Sequence, residues 1–210
     1  MLYFMRHAET ALNEEKRLRG WKDPDVLSDA LIKAEQTARW IKHNGGADII
    51  FTSDFKRTRE TAKAAGKILG CTIQETPYLR PIDFGELNGS LIETISDNLD
   101  AMFLAWEKDP SAQAFGGDSF SSFQDRVSKA MKFLFELARS KKNIIAVTHS
   151  RVCLYAMAYF YNLERPLEGE RIRTLRLIDT GYCDVIRFSL SDKDKLLLTA
   201  VNPVHNGAHG

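Results

Sequence analysis

Arg6 and His7 follow the apolar run Leu2-Tyr3-Phe4-Met5 directly, so a guanidinium and an imidazole stand where a buried strand would end. The pattern recurs twice. Asp48-Ile49-Ile50-Phe51 ends in Thr52-Ser53 and leads within six residues to Arg57, and Asn143-Ile144-Ile145-Ala146-Val147 ends in Thr148-His149-Ser150. Three short apolar runs therefore each deliver a cationic or nucleophilic residue at the carboxyl end. In an open parallel sheet the ligand crevice lies outside that end of the strands, so segments far apart in sequence can converge on one pocket. Such a pocket would be basic and would hold two histidines.

The elements that must position these residues follow from spacing. Ser28 suits an N-cap for a helix with Leu31, Ala34, Ala38 and Ile41 on one stripe, ended by Gly45-Gly46. A second helix is expected from Ser53 or Asp54, with Thr58, Ala62, Ala65 and Leu69 on one face before Gly70. A third runs from Phe120 to Ser140, and another follows His149. Strand-like runs alternate with these helices, which predicts an α/β sandwich with a mainly parallel sheet. Val185–Leu190 and Lys195–Val201 read as a late hairpin with Ser191-Asp192-Lys193-Asp194 as its turn. Asp83–Gly117 breaks the alternation with an expected helix from Leu91 to Lys108, and residues 87–115 are expected to form a lid inserted in a single domain spanning 1–210. Trp21, Phe84, Trp106 and Phe115 are candidate apolar walls. The tail from Asn202 to Gly210 is expected to fray.

Composition narrows the partners. A formal net charge of +1 over 210 residues gives no global pull toward nucleic acid or an anionic membrane, so any anion binding must be local. The longest apolar stretch, Val152 to Tyr161, is too short to span a bilayer, and the N-terminus shows neither a charged n-region nor a cleavage site. A cytoplasmic, soluble protein is expected. Cys71, Cys153 and Cys183 are odd in number, far apart and without metal-ligand spacing, which reads as free thiols. No metal site and no Gly-rich phosphate loop is visible, the latter disfavouring an ordinary nucleotide-binding protein. A homodimer stays open.

The motifs together resemble the histidine phosphatase superfamily, in its phosphoglycerate-mutase-like branch. Arg6-His7-Ala8-Glu9-Thr10 is similar to that family's Arg-His-Gly-Glu-Thr signature, with Ala8 in place of glycine and Asn13 where asparagine is usual. Arg19-Gly20-Trp21-Lys22-Asp23 with Leu27-Ser28 looks like the next segment, although Arg19 replaces glutamine and one extra residue precedes Leu27. Ser53-Asp54-Phe55-Lys56-Arg57-Thr58 matches the segment of the second active-site arginine. Gly116-Gly117-Asp118-Ser119 resembles Gly-Gly-Glu-Ser, and Val147-Thr148-His149 matches the second histidine, with Ser150 where glycine is common. The order and spacing of these matches carry the resemblance across most of the chain.

The resemblance implies a three-layer α/β/α sandwich and an enzyme working through a transient phosphohistidine. Neutral imidazole is a good nucleophile near pH 7 because its reference pKa is about 6.5. His7 would attack phosphorus in line, with Arg6 and Arg57 holding the equatorial oxygens through paired hydrogen bonds. His149 would add a donor. Asn13, Arg19, Gly20 and Ser150 would help bind the ester, and since arginines neutralise the charge, neither metal nor cofactor is required. The substrate implied is a small phosphorylated molecule.

One residue departs from the family in a place that matters. The family carries a glutamate as proton donor in a Leu-Arg-Glu segment, and this chain reads Leu79-Arg80-Pro81-Ile82-Asp83-Phe84-Gly85-Glu86. Positioned acid catalysis contributes about 10²–10⁴-fold. Asp83, two residues on and so on the same side of an extended segment, is the favoured substitute, with Glu86 second; leaving groups of low pKa would remove the need. Asp118 and Ser119 read equally as a helix cap or as substrate-facing, and Arg171, Arg173 and Arg176 read as a solvated strand face ahead of a second anion site. A metal-independent phosphomonoesterase leads. A phosphoglycerate-type mutase ranks below it, the chain being short for that branch and lacking its segment around the glutamate, and a phosphoryl-binding regulatory module that has lost turnover is the reading of another class.

Overall fold

Strands β1 (Leu2–Arg6) and β4 (Ile144–Thr148) are buried at every position, which is why they read as unbroken apolar runs rather than as alternation. The computed structural model describes residues 1–140, 142–161, 167–177, 180–190 and 196–201. In it these strands join β2 (Ile49–Thr52), β3 (Thr72–Glu75), β5 (Val185–Leu190) and β6 (Leu196–Val201) in a six-stranded sheet of order β3-β2-β4-β1-β5-β6. The first four strands of that order pair in parallel, and β5 and β6 extend the sheet antiparallel beyond β1. The mixed α/β architecture with a mainly parallel sheet is thus present.

Successive side chains of β1 feed two cores, one on each face. Tyr3 and Met5 pack with Ala38 and Ile41 of α2 (Ala30–His43) and with Ala62 and Ala65 of α3 (Lys56–Leu69). Leu2 and Phe4 belong to the opposite core with Phe123, Val127 and Leu134 of α5 (Phe120–Arg139) and Val152 and Tyr155 of α6 (Ser150–Tyr161). Each such large apolar side chain contributes about 1.5–3 kcal/mol relative to exposure. Cys153 and Cys183 are buried free thiols and Cys71 is half-buried; burial pushes the Cys183 thiol up to about 12.

Helix boundaries depart from the sequence reading in instructive ways. Helix α3 begins at Lys56, after an extended Phe55, because the Ser53 amide still extends the sheet by donating to the Val147 carbonyl at 3.1 Å. Asp29, not Ser28, stands at the N-cap of α2. Gly70, at φ +72°, ends α3 as expected. Strand β3 escaped the sequence reading because all four of its residues are exposed on an edge. The inserted helix α4 starts at Ser96 and ends at Lys108, preceded by 3-10 turns at Gly85–Leu87 and Glu93–Ile95.

A further correction concerns Arg171, Arg173 and Arg176. They lie on a helix, α7 (Glu170–Leu177), rather than on a strand. Two ion pairs tie it to α4, Arg176 to Asp100 at 3.0 Å and Arg173 to Glu107 at 3.4 Å. The expected turn at Ser191–Asp194 and the tail Asn202–Gly210 lie outside the described residues. Among the described residues, no helix is long and apolar enough to cross a membrane.

Candidate active site

Because β2, β4 and β1 are neighbours, their carboxyl ends lie side by side. Arg6 is in register with Thr148, and Thr52 with Val147; the His7 amide donates to the Thr148 carbonyl at 2.9 Å. Outside these ends is a cavity of about 130 Å³ lined by His7, Arg57, His149, Arg19, Gly20 and Ser150. Pro81, Ile82 and Phe84 form one wall, and Ile92 and Leu99 of the insertion reach it from above.

His7 is 2% exposed, and its ring centroid lies 5.3 Å from that of His149. Its Nδ1 sits 2.7 Å from the Ala8 carbonyl oxygen. A carbonyl only accepts, so Nδ1 keeps the proton and Nε2 carries the lone pair. Burial first, then the Arg57 and Arg6 guanidiniums, hold this imidazole well below its usual range. His149 is depressed in the same way, by burial, then by Arg57 and His7. Both rings are therefore neutral at pH 7. Neither nitrogen of His149 has a hydrogen-bond partner, and its ring meets Phe55 edge-on at 5.7 Å. Buried polar groups are almost always bonded, and this unbonded ring lines the cavity.

Arg57 is held by the loop that precedes it in space, not in sequence. Its Nη2 donates to the Gly20 carbonyl at 2.8 Å, and its Nη1 donates to the Lys22 carbonyl at 2.8 Å and to Asp23 at 3.2 Å. Burial brings the guanidinium down to about 10, partly offset by Asp23, which leaves it charged. Its buried Nε has no hydrogen-bond partner. Arg6, 1% exposed, donates through Nη1 to the Thr180 carbonyl and lies 4.1 Å from the Tyr182 ring centroid. Arg19 is steadied by the Arg17 carbonyl at 3.0 Å. Gly20 adopts φ +46°, and a Cβ there would stand 1.8 Å from Asn88 Oδ1.

Several expected roles change. Asn13 does not line the cavity: its Oδ1 accepts from the Thr10 amide and hydroxyl at 3.1 and 2.7 Å, capping the short helix α1 (Ala11–Glu14), while its buried Nδ2 has no partner. Asp83 is the larger correction. Its Oδ1 accepts from the Gly85 amide at 3.0 Å and from Asn88 Nδ2 at 2.6 Å, and the side chain does not line the cavity. The two-residue repeat that placed it beside position 81 fails because the segment is not a strand but runs into the 3-10 turn at Gly85–Leu87. Glu86 lies within that turn and is exposed, so neither carboxylate faces the imidazole of His7.

Asp118 and Ser119 prove structural. The Ser119 hydroxyl accepts from the Ser122 amide at 3.1 Å as the N-cap of α5, and Asp118 pairs with Arg126 at 2.8 Å. Arg126 and the Trp21 indole both donate to the Pro81 carbonyl, at 2.8 and 3.1 Å. Of the candidate aromatic walls, Phe84 lines the cavity and Trp106 is wholly buried, its indole donating to the Ala112 carbonyl at 3.0 Å. Sequence reasoning missed Arg151, which also lines the cavity and stands two residues after His149, a usable signal. Arg176, which the sequence reading ranked as a solvated face ahead of an anion site, lines the cavity too.

Comparisons with known proteins agree with this geometry. The chain is similar to the probable phosphoglycerate mutases GpmB of Serratia proteamaculans, 29% identical over 153 residues covering 70% of this chain and 68% of that one, and of Klebsiella pneumoniae, 28% identical over the same shares. In structure it resembles a mycobacterial glucosyl-3-phosphoglycerate phosphatase (TM-score 0.77, 20% identity, 96% and 98% of the two chains). It also resembles a phosphoserine phosphatase of Entamoeba histolytica solved with 3-phosphoglyceric acid (TM-score 0.73, 23% identity, 96% and 95%). A family model of the histidine phosphatase superfamily, branch 1, matches residues 2–201, and the chain belongs to that superfamily.

Proposed function

We propose that the protein is a phosphatase that hydrolyses a small phosphorylated molecule through a phosphohistidine on His7, without a metal ion. The observation that carries this is the Nδ1 bond of His7 to the Ala8 carbonyl at 2.7 Å, which leaves Nε2 as a neutral, oriented nucleophile among cations. The depressed pKa keeps that lone pair available. The Nε proton of Arg57 and the ring of His149 point to donors for the equatorial oxygens, fixed before the substrate arrives, as transition-state stabilisation requires. Water then attacks the phosphohistidine.

The test is p-nitrophenyl phosphate hydrolysis in EDTA by wild type and His7→Ala, with alkaline detergent quenching of radiolabelled enzyme. A labelled histidine in wild type and at least about a thousandfold loss in the variant are expected. Turnover surviving in His7→Ala would sink the proposal. The names of the curated relatives favour a mutase as second reading; interconversion of phosphoglycerates faster than phosphate release would establish it instead.

A further inference from the structure

Two features of the cavity bear on the leaving group. Among the described residues that line it none is acidic, so no carboxylic acid is placed to protonate a departing alkoxide. Beyond Arg57, three more arginines, Arg19, Arg151 and Arg176, line it. Arg176 is held in place by the insertion: its Nε lies 3.0 Å from Asp100 Oδ1, and Nη2 donates to Ser96 Oγ at 3.4 Å. Four arginines thus line the cavity that must also hold the leaving group.

We infer that the leaving group is itself a phosphate, so that the scissile bond is a phosphoanhydride and Arg151 and Arg176 hold the departing group; this rests on the phosphohistidine reading above. His7 Nε2 bonds to the terminal phosphorus while the bond from that phosphorus to the bridging oxygen breaks, and the electron pair goes to the oxygen. That oxygen now belongs to a phosphate whose proton affinity is low, with a pKa of about 6. An alkoxide is about as basic as hydroxide, whose parent water has a pKa of about 15.7. The anhydride therefore leaves without a protein acid. Water attacks the phosphohistidine next, the P–N bond breaks, its pair returns to Nε2, and the water's proton departs on the second phosphate. One water is consumed and two phosphate-bearing products form. Aryl phosphates share the weak basicity but bring no second phosphate to a cavity lined by Arg151 and Arg176, which is why the anhydride is favoured.

The experiment compares kcat/KM for inorganic pyrophosphate, p-nitrophenyl phosphate and glycerol 3-phosphate in wild type, Arg176→Gln and Asp100→Asn. Wild type is expected to turn over pyrophosphate at least about a hundredfold better than glycerol 3-phosphate, as absence of acid catalysis dictates. Arg176→Gln should cut the preference for pyrophosphate over p-nitrophenyl phosphate about tenfold. Asp100→Asn, which removes the carboxylate that holds the Arg176 guanidinium, should lower the same preference by a smaller factor. Glycerol 3-phosphate consumed as fast as pyrophosphate, or equal losses on both other substrates in Arg176→Gln, would overturn the inference while leaving the phosphatase reading intact. A selective loss larger in Asp100→Asn than in Arg176→Gln would also overturn it. No turnover of any of the three, with no trapped phosphohistidine, would remove both.

Discussion

Asn88 leaves room for no side chain at residue 20: its Oδ1 lies 1.8 Å from where a Cβ on Gly20 would stand. The same oxygen accepts from the Phe84 amide at 3.2 Å and the Trp21 amide at 3.3 Å. One amide thereby joins the loop that anchors Arg57 to the loop that carries Pro81. Gly20→Ala must shift that joint and hold a positive φ that non-glycine residues disfavour by about 1–3 kcal/mol. We expect a stability loss of that size in urea unfolding, and lower kcat/KM because the Gly20 carbonyl bonded to Arg57 moves. A variant as stable and active as wild type would contradict the joint.

Arg57→Lys keeps the charge but loses the fork that meets Gly20, Lys22 and Asp23 together. Removing one preorganised donor to a transition state lowers kcat by about 10²–10³-fold, and steady-state kinetics should show a loss of that order. A tenfold loss or less would mean that Arg57 acts as a point charge only.

Asp83→Asn tests the displaced acid. Since Asp83 Oδ1 serves Gly85 and Asn88, the pH profile of turnover should keep its shape while stability falls by about 1 kcal/mol. Disappearance of a basic limb would restore Asp83 as a proton donor.

Pro81→Glu is the complementary change. Residue 81 lines the cavity, so a carboxyl there should raise the rate on glycerol 3-phosphate at mildly acidic pH by about tenfold or more, within the range acid catalysis supplies. An unchanged rate with a folded variant would show that the geometry for protonation is absent.

The two buried histidines also set a pH dependence of stability. Their folded pKa values are depressed, so below about 6.5 the unfolded chain binds protons that the folded chain refuses. Stability is therefore fully present above that pH and falls as pH drops, by about 1.4 kcal/mol per pH unit for each histidine. Urea midpoints between pH 7 and 5.5 should decline, and less steeply in His149→Gln. A flat dependence would show that the two rings titrate in the fold as they do in the unfolded chain.

How much of this was legible without a structure depends on whether the information is local. The runs at Leu2–Met5, Ile49–Phe51 and Ile144–Val147 announce doubly buried parallel strands, and the residues that follow them announce a basic, two-histidine crevice. Gly70 as a helix end and Ser119 as a cap are equally local, because each acts on backbone within a few residues.

The sequence by itself determined the kind of sheet, the candidate nucleophile and the absence of a glutamate at Pro81, all properties of residue type and short spacing. Tertiary structure decided the rest. Strand adjacency brought His7, Arg57 and His149 to one cavity; a 3-10 turn took Asp83 out of it; and ion pairing between α4 and α7 fixed Arg176 in it. The first and third of these outcomes depend on contacts between segments 50 to 142 residues apart, where no periodicity carries information and only packing selects which side chain faces the ligand; the second rests on an irregular local turn that the two-residue repeat does not register.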